Sequence, residues 1–386
     1  MSEFRTIREL CSVVVDCPHS TPKWTANGKI VIRNKNIKHG KIDFSSPSYT
    51  DDEHFAQRIK RAKPQPGDII ITREAPIGDV GMIPENTECC LGQRMVLLRA
   101  NQSVCDNFYL LYSLQSLYVQ HQISWSEGTG TTVSNLRIPH LEQIQIPYLP
   151  LEQQAKISSV LRALEEKIEN NGRLNDNLQQ QAAALFSSLY DRTNTEVRFT
   201  DLIQILGGGT PKTGENTYWN GNIAFFTPKD VGTPYTLITE KTITEEGLSH
   251  CNSRLYPVNT VFVTARGTVG KVGMSGVPMA MNQSCYALVG KETHQLLVYF
   301  YTLKAVDRLK HKASGAVFDA ITTRDFESEQ IMKLSDDDAK AFLCIAEPMF
   351  QKVLNNCIEN LRLSTLRDSL LPKLMSGEVD VSAVQL

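Results

Sequence analysis

The feature that most constrains this chain is an internal repeat. From Ser20 to Ile37 it reads STPKWTANGKIVIRNKNI; about 190 residues later, from Gly207 to Val231, it reads GGGTPKTGENTYWNGNIAFFTPKDV. Further matches follow in the same order. NGKIVI (Asn27–Ile32) pairs with NGNIAF (Asn220–Phe225), and PGDIIITREAPIGDVGM (Pro66–Met82) with PVNTVFVTARGTVGKVGM (Pro257–Met274). LGQR (Leu91–Arg94) pairs with MNQS (Met281–Ser284), and FYLLYSLQSL more loosely with VYFYTLKAVDRL. A glycine-containing loop then follows in each half, EGTGTT near Gly128 and SGAVFD near Gly315. Serial matches in one order mean two copies of one structural unit.

Within each copy, short β-branched or aromatic runs alternate with Gly, Pro and Asn turns, the pattern of strands. GDIII, DVGMI and MVLLR are the strongest of these runs in the first copy. A helical pattern around Tyr109–Val119, and again around Tyr299–Leu309, makes each globular part α+β. Each copy then ends in apolar steps of four and three. The first seam is Ile157, Leu161, Leu164, Ile168, Asn171, Asn175, Leu178, Ala182, Leu185 and Leu189. The second is Phe342, Ala346, Met349, Val353, Asn356, Asn360, Leu363, Arg367, Leu370 and Leu374. Both are coiled-coil seams with two asparagines in the middle. Only Arg367 interrupts the second badly, and Gly172 and Pro348 are expected to bend or fray the helices.

The asparagines bear on orientation. If the two helices pair antiparallel, Asn171 and Asn175 meet Asn356 and Asn360, and a slip in register buries amides against leucine at about 1–3 kcal/mol each. The competing account leaves these positions facing solvent. A helix from Ile157 to Leu189 would run about 50 Å. The expected architecture is a tandem repeat of two α/β domains (1–150 and 193–334), separated by two long helical segments (151–192 and 335–386) that form an antiparallel coiled coil. Two like domains on a stiff rod suit a target that is itself long, double-helical and roughly twofold symmetric.

Composition excludes several classes. No window of about 18 unbroken apolar residues is present, so a membrane span is not expected. The opening MSEFRTIRELCSVVVDC is acidic and polar where a signal peptide needs an apolar core. Nine cysteines without a C-x-x-C pair suit a reduced cytoplasm, and no metal site is expected. The net charge of −2 argues against nucleic acid, but its distribution is uneven. Residues 1–150 carry 16 basic against 15 acidic side chains and 193–334 carry 14 against 13, while the helical segments are net acidic. That permits local basic surfaces without establishing them.

GGGTPKTGENTYWNGNIAFFTPKDV resembles the opening of a target-recognition domain in the specificity subunits of type I restriction–modification systems. The resemblance covers nearly the whole chain. It includes the phrase Thr264–Gly270, the helix entry PLEQQAKI (Pro150–Ile157) and the ending LLPKLMSGEV (Leu370–Val379). Two departures are the second helix entry, LSDDDAKAF, and TREAPIG where the second copy has R-G-T-V-G. The resemblance implies a non-catalytic, cytoplasmic subunit of a phage-defence system. Each globular domain would read one half of a split site on double-stranded DNA. The helices would set the gap and dock two methyltransferase subunits, and restriction subunits could join them. S-adenosylmethionine for DNA methylation, and ATP with Mg for cleavage, would then belong to those partners, with no cofactor on this chain.

The residues fit that division. No Asn-Pro-Pro-aromatic or Asp-Pro-Pro-aromatic tetrapeptide is present to hold a flipped adenine, and no catalytic residue is assigned. GTVGKVGM (Gly267–Met274) has the wrong spacing for a P-loop, and no H-E-x-x-H occurs. The glycines at 207–209 read as a structural turn, with a backbone phosphate nest as the alternative. A self-sufficient DNA-modifying enzyme and a protein-binding scaffold without DNA specificity are the competing functions.

The candidate DNA contacts are basic. In the first copy they are Arg33, Lys35, Lys38, Arg58, Lys60, Arg61 and Arg73, from IRNKNIKHGK and RIKRAK and the loop after GDIII. In the second they are Lys212, Lys229, Arg266 and Lys271, with Arg254 and LKHK (Leu309–Lys312) nearby. Such side chains neutralise phosphates, and an arginine can address guanine; each is also an ordinary solvated charge until shown otherwise. Arg73 and Arg266 occupy matching loops one position out of step. Gln93 and Gln283 read as buried amides tying the scaffold, and Tyr218 and Trp219 as plugs beneath the loop. The loops around Thr25 and Gly214 share little, so the half-sites should differ.

Overall fold

A computed structural model describes residues 3–38, 40–125, 135–232, 234–312, 320–382 and Val384. The two glycine-containing loops, EGTGTT and SGAVFD, lie outside the described residues. By contact the chain divides into two compact units, residues 1–166 with 363–386, and residues 167–362.

The first unit is built on a four-stranded sheet of β1 (Cys11–Asp16), β2 (Ile69–Arg73), β3 (Ile77–Met82) and β4 (Met95–Ala100), in the order β1-β4-β2-β3 with every pairing antiparallel. These are the runs GDIII, DVGMI and MVLLR. Ile69, Ile70, Ile71, Val96, Leu97 and Leu98 are all essentially inaccessible, because both faces of the sheet are covered. One face packs Ile69, Ile71, Val96 and Leu98 with Tyr109, Leu110 and Leu114. The other packs Ile70, Met95 and Leu97 with Ile32, Ile37 and Cys89. A second sheet holds Trp24–Thr25, Lys29–Ile32, Ser48–Thr50 and Cys89–Leu91.

The second unit repeats the plan. β5 (Ile203–Gly207), β6 (Val261–Thr264), β7 (Val272–Ser275) and β8 (Cys285–Gly290) order as β5-β8-β6-β7, with Tyr235–Thr236 added at the edge beside β7. Its second sheet holds Trp219–Phe226, Lys241–Ile243 and Met279–Met281. In both units one pairing of the second sheet is parallel: Leu91 lies opposite Ile32, and Met281 opposite Phe226.

That register corrects one sequence match. Ile32 corresponds to Phe226, not to Phe225, because they hold the same place opposite Leu91 and Met281; the strand Trp219–Phe226 is irregular between Trp219 and Ile223, which both lie opposite Ile243. The helical run in the first copy also differs from a single helix. It breaks into Asn107–Gln115 and Leu117–Trp125 at Ser116, which leaves the helical region (φ −64°, ψ 146°) and whose hydroxyl bonds the Ser113 carbonyl at 2.6 Å. Its counterpart, Gln295–Lys312, is uninterrupted.

Two long helices, α1 (Leu151–Tyr190) and α2 (Asp336–Ser376), run through Gly172 and Pro348 without a break in the helix. In the second unit they pair antiparallel. Asn171 Nδ2 donates to Asn360 Oδ1 at 2.9 Å, and Asn356 Nδ2 donates to Asn175 Oδ1 at 2.8 Å, so the partner number falls as the residue number rises. Asn171, Asn175 and Asn356 are buried. An aromatic cluster fastens this helix pair to its domain: Phe186 stacks on Phe300 with centroids 5.0 Å apart and meets Phe342 edge-on at 5.5 Å. In the first unit Ile157, Leu161, Leu374 and Met375 share a core with Tyr109 and Tyr112. Arg367, the seam's polar intruder, is met there by Glu165 at 3.6 Å, and Glu165 also accepts from the Tyr112 hydroxyl at 2.9 Å.

Candidate nucleic-acid interface

Each unit carries an open cleft at the same place in its fold. The first holds about 350 Å³ and is lined by Trp24, Arg33, Asn34, Lys35, Ala75 and the turn Gly92–Arg94, with Pro22 at its edge. The second holds about 370 Å³ and is lined by Thr227–Lys229, Glu240, Lys241, Arg266, Gly267, Asn282 and Ser284. Three loops build both. The loop after the long strand of the second sheet supplies Arg33–Lys35 in one and Thr227–Lys229 in the other, which makes Lys35 and Lys229 equivalent. The β2–β3 turn supplies Ala75, and the β6–β7 turn supplies Gly267. Both residues adopt positive φ, 45° and 83°, a conformation glycine enters freely and alanine only with strain.

The third loop precedes β4 and β8. Met95 pairs with Thr72 in β2, as Cys285 pairs with Thr264 in β6. Arg73 N donates to Arg94 O at 2.8 Å, and Ala265 N to Ser284 O at 2.8 Å. Arg94 and Ser284 are therefore equivalent, as are Arg73 and Ala265, and Glu74 and Arg266. The out-of-step match between Arg73 and Arg266 is resolved: they are not counterparts.

A tie common to both copies holds this loop to the Thr-Pro-Lys turn. Gln93 donates to the His19 carbonyl, and reaches the Thr21 hydroxyl at 3.3 Å; Thr210 donates to Gln283. Both amides brace the scaffold, yet neither is buried as expected: Gln93 is half-buried and Gln283 exposed. The glycines that precede Thr210 serve close packing. A Cβ on Gly208 would lie 2.3 Å from Asn282 O, and one on Gly209 2.7 Å from Asn252 N. Trp219 packs on the small core of Phe225 and Ile243 and donates to Lys212 O at 3.2 Å. Tyr218 stacks on His250 instead, with centroids 4.9 Å apart.

Two of the candidate contacts are structural and must be withdrawn. Arg58 is only 5% exposed, and its guanidinium donates to three carbonyls, Leu91 at 2.7 Å, Ser20 at 2.8 Å and Pro18 at 3.1 Å. Burial lowers its pKa, and three of its five N–H donors are committed to backbone carbonyls. Arg73 donates to both oxygens of Asp16 at 2.9 Å and to Leu136 O at 2.8 Å, with its side chain 11% exposed. Arg58 ties the segment before Pro22 to the strand that leads into the Gly92–Arg94 turn.

The other basic candidates divide by place. Arg33 and Lys35 line the first cleft, Lys229 and Arg266 the second. Arg33 lies over the exposed Trp24 ring, 5.0 Å from its centroid, and Lys35 Nζ bonds Ser46 at 2.8 Å. Lys229 is 3.4 Å from Glu240. Lys38, Lys60, Arg61, Lys212 and Lys271 are exposed but outside the clefts' linings. Lys38 bonds Asp43 at 2.6 Å and holds that carboxyl well below the usual range. LKHK is partly committed as well, since Lys312 and Arg308 both flank the buried Glu329. Sequence reasoning passed over Arg94 and Trp24, which line the first cleft; the out-of-step match of Arg73 to Arg266 concealed the former.

The comparisons with known proteins agree with this plan of two like sites. A family described as the type I restriction modification DNA specificity domain matches residues 3–180 and again 192–333. The chain belongs to this family. It is 23% identical over 342 residues to the type I restriction enzyme MjaIX specificity subunit of Methanocaldococcus jannaschii, covering 82% of this chain and 78% of that one. It is 28% identical over 186 residues to the HindI specificity subunit of Haemophilus influenzae, which covers 47% of this chain and 40% of the relative. The S subunit structure from M. genitalium matches its fold with a TM-score of 0.60 at 18% identity, across 96% of this chain and 95% of that one. Among the described residues no helix is long and apolar enough to cross a membrane.

Proposed function

We propose that this specificity-domain protein reads a bipartite, asymmetric DNA target, one half-site in each cleft, and that it acts without catalytic residues of its own. The observation that carries the reading is the pair of clefts: the same three loops, braced by the same Thr–Gln tie, present different side chains. Arg33, Asn34 and Arg94 line one, where Thr227, Pro228 and Ser284 line the other. A fixed frame with exchanged contents is what two different base sequences require, since base edges rather than backbone carry sequence information.

In this reading residues 1–150 and 193–334 are the reading domains, and 151–192 and 335–386 are the helical spacers. The spacers set the interval between half-sites and dock two methyltransferase subunits, with restriction subunits as further partners. S-adenosylmethionine, ATP and Mg belong to those partners. Lys35, Lys229 and Arg33 supply charge toward phosphates, and the exposed Lys38, Lys60, Arg61, Lys212 and Lys271 add to it from outside the clefts. Methylome sequencing of the host, with and without this chain, tests the proposal. A split methylated motif that vanishes with the chain supports it. An unchanged methylome, or a contiguous motif, overturns it.

A further inference from the structure

We infer that Arg94 is a base-reading residue of the first cleft, addressing a guanine, and that Glu74 is the residue that positions it. This rests on the reading that the clefts face DNA, and goes beyond it by naming one contact and one base.

The repeat isolates the pair. The backbone hydrogen bond from residue 73 to residue 94 is reproduced from residue 265 to residue 284, both 2.8 Å, so the two turns that flank the cleft are fixed by the fold. What they carry is not fixed. The first unit has Glu74 on one turn and Arg94 on the other; the second has Arg266 and Ser284. An ion pair spans the two turns in one copy, where the other carries an arginine and a serine, which cannot form one. The shared backbone hydrogen bond does not demand the pair, because the second unit makes it without one, and with Ser284 outside the positive-φ region that Arg94 occupies.

The geometry aims the arginine. Arg94 adopts φ 66°, unusual for a residue with a side chain, and it lines the first cleft. Its Nε lies 3.1 Å from Glu74 Oε2. The carboxylate therefore stands in ion-pair contact with the guanidinium, and among the described residues no hydrogen bond occupies the terminal nitrogens of Arg94. Those nitrogens can donate in parallel to N7 and O6 of guanine, a pattern no other base offers in the major groove. Arg94 remains 55% exposed, while Glu74 is 21% exposed.

Charge separates a base contact from a phosphate contact. Glu74 and Arg94 together carry no net charge, so a phosphate would meet the carboxylate's repulsion as well as the guanidinium's attraction. A guanine edge is neutral and polar, and gains from an arginine whose orientation is already fixed. Lys35 of the same cleft, which bonds the neutral Ser46 hydroxyl, suits a phosphate better.

The test replaces Arg94→Ala, Arg94→Lys and Glu74→Gln in the native host and sequences each methylome. Wild type comes first: absence of any split motif there overturns the proposed function rather than this assignment. Given a split motif, Arg94→Ala is expected to relax one G·C position, in one half only, by about 10- to 100-fold in preference. Arg94→Lys keeps the charge and should relax the same position. Glu74→Gln should loosen it more weakly, a position-specific change that a merely structural carboxylate would not produce. An unchanged motif with methylation reduced uniformly would make Arg94 a phosphate contact and overturn the assignment. So would full methylation with the motif intact, or relaxation at an A·T position. If Arg94→Ala abolishes methylation, the purified complex carrying Arg94→Lys is titrated with duplexes bearing each base at the motif's G·C positions in turn. Loss of guanine preference at one position supports the inference, and preference retained at all of them ends it.

Discussion

Consider what happens when Asn356 becomes leucine. Asn356 is 1% exposed, and its Nδ2 is the donor to Asn175 Oδ1 at 2.8 Å. Among the described residues its own Oδ1 has no hydrogen-bond partner. Leucine removes the donor and leaves the Asn175 oxygen buried against methyl groups, with only the Asn175 Nδ2 contact to Cys357 Sγ at 3.6 Å remaining nearby. The lost bond and the orphaned oxygen together cost about 2–3 kcal/mol, offset by about 1 kcal/mol from the added apolar burial. The single variant should therefore lose about 1–2 kcal/mol. Asn175→Leu, 7% exposed at the start, should lose a similar amount. The double variant has no orphaned oxygen at this step and gains apolar area from both sides. It should be no less stable than wild type, giving a coupling of about 2–3 kcal/mol in a double-mutant cycle. Hydrogen exchange of peptides spanning residues 167–180 and 351–362 reads the local stability of this step directly, which avoids assuming that the whole chain unfolds in one transition. Additive destabilisation in the double variant would refute the claim that the asparagines set register by pairing with each other.

Arg73→Ala should lower the melting temperature by about 5 °C, since it strips the guanidinium from the Leu136 carbonyl and from Asp16, which keeps His19 at 3.0 Å, at a cost of about 2 kcal/mol, and leave any methylated motif unchanged; an altered motif would restore Arg73 as a DNA contact. Gly208→Ala forces a Cβ to within 2.3 Å of Asn282 O and should cost about 2–3 kcal/mol, whereas Gly207→Ala, with nothing within 4 Å, should cost far less. Equal melting temperatures for those two variants would count against the close-packing account. Burial pushes the thiols of Cys11, Cys89 and Cys285 up to about 12 and that of Cys90 to about 11. A folded state that keeps its thiol protons while the unfolded chain loses them is fully stable below about pH 9 and loses stability as pH rises toward 11–12. The slope reaches about 1.4 kcal/mol per pH unit for each thiol, and urea titrations at pH 8, 9 and 10 that superimpose would contradict it.

The sequence by itself determined the repeat, three of the four strands of the first main sheet and the helix seams. These are written as local patterns: β-branched runs between turns, and apolar residues at steps of three and four. It also placed two asparagines at the middle of each seam, and the hydrogen bonds between α1 and α2 follow from those positions. Tertiary structure decided which arginines were free. Arg73 looks like a DNA contact in its local phrase, but its acceptors stand 57 and 63 residues away, at Asp16 and Leu136. Arg58 likewise spends its guanidinium on carbonyls 33 to 40 residues distant. Arg94, unremarkable in LGQR, faces an open cleft only because the β2–β4 pairing sets its turn beside Glu74. A guanidinium's role depends on whether folding brings it acceptors, and that information is spread over pairs of segments far apart in the chain.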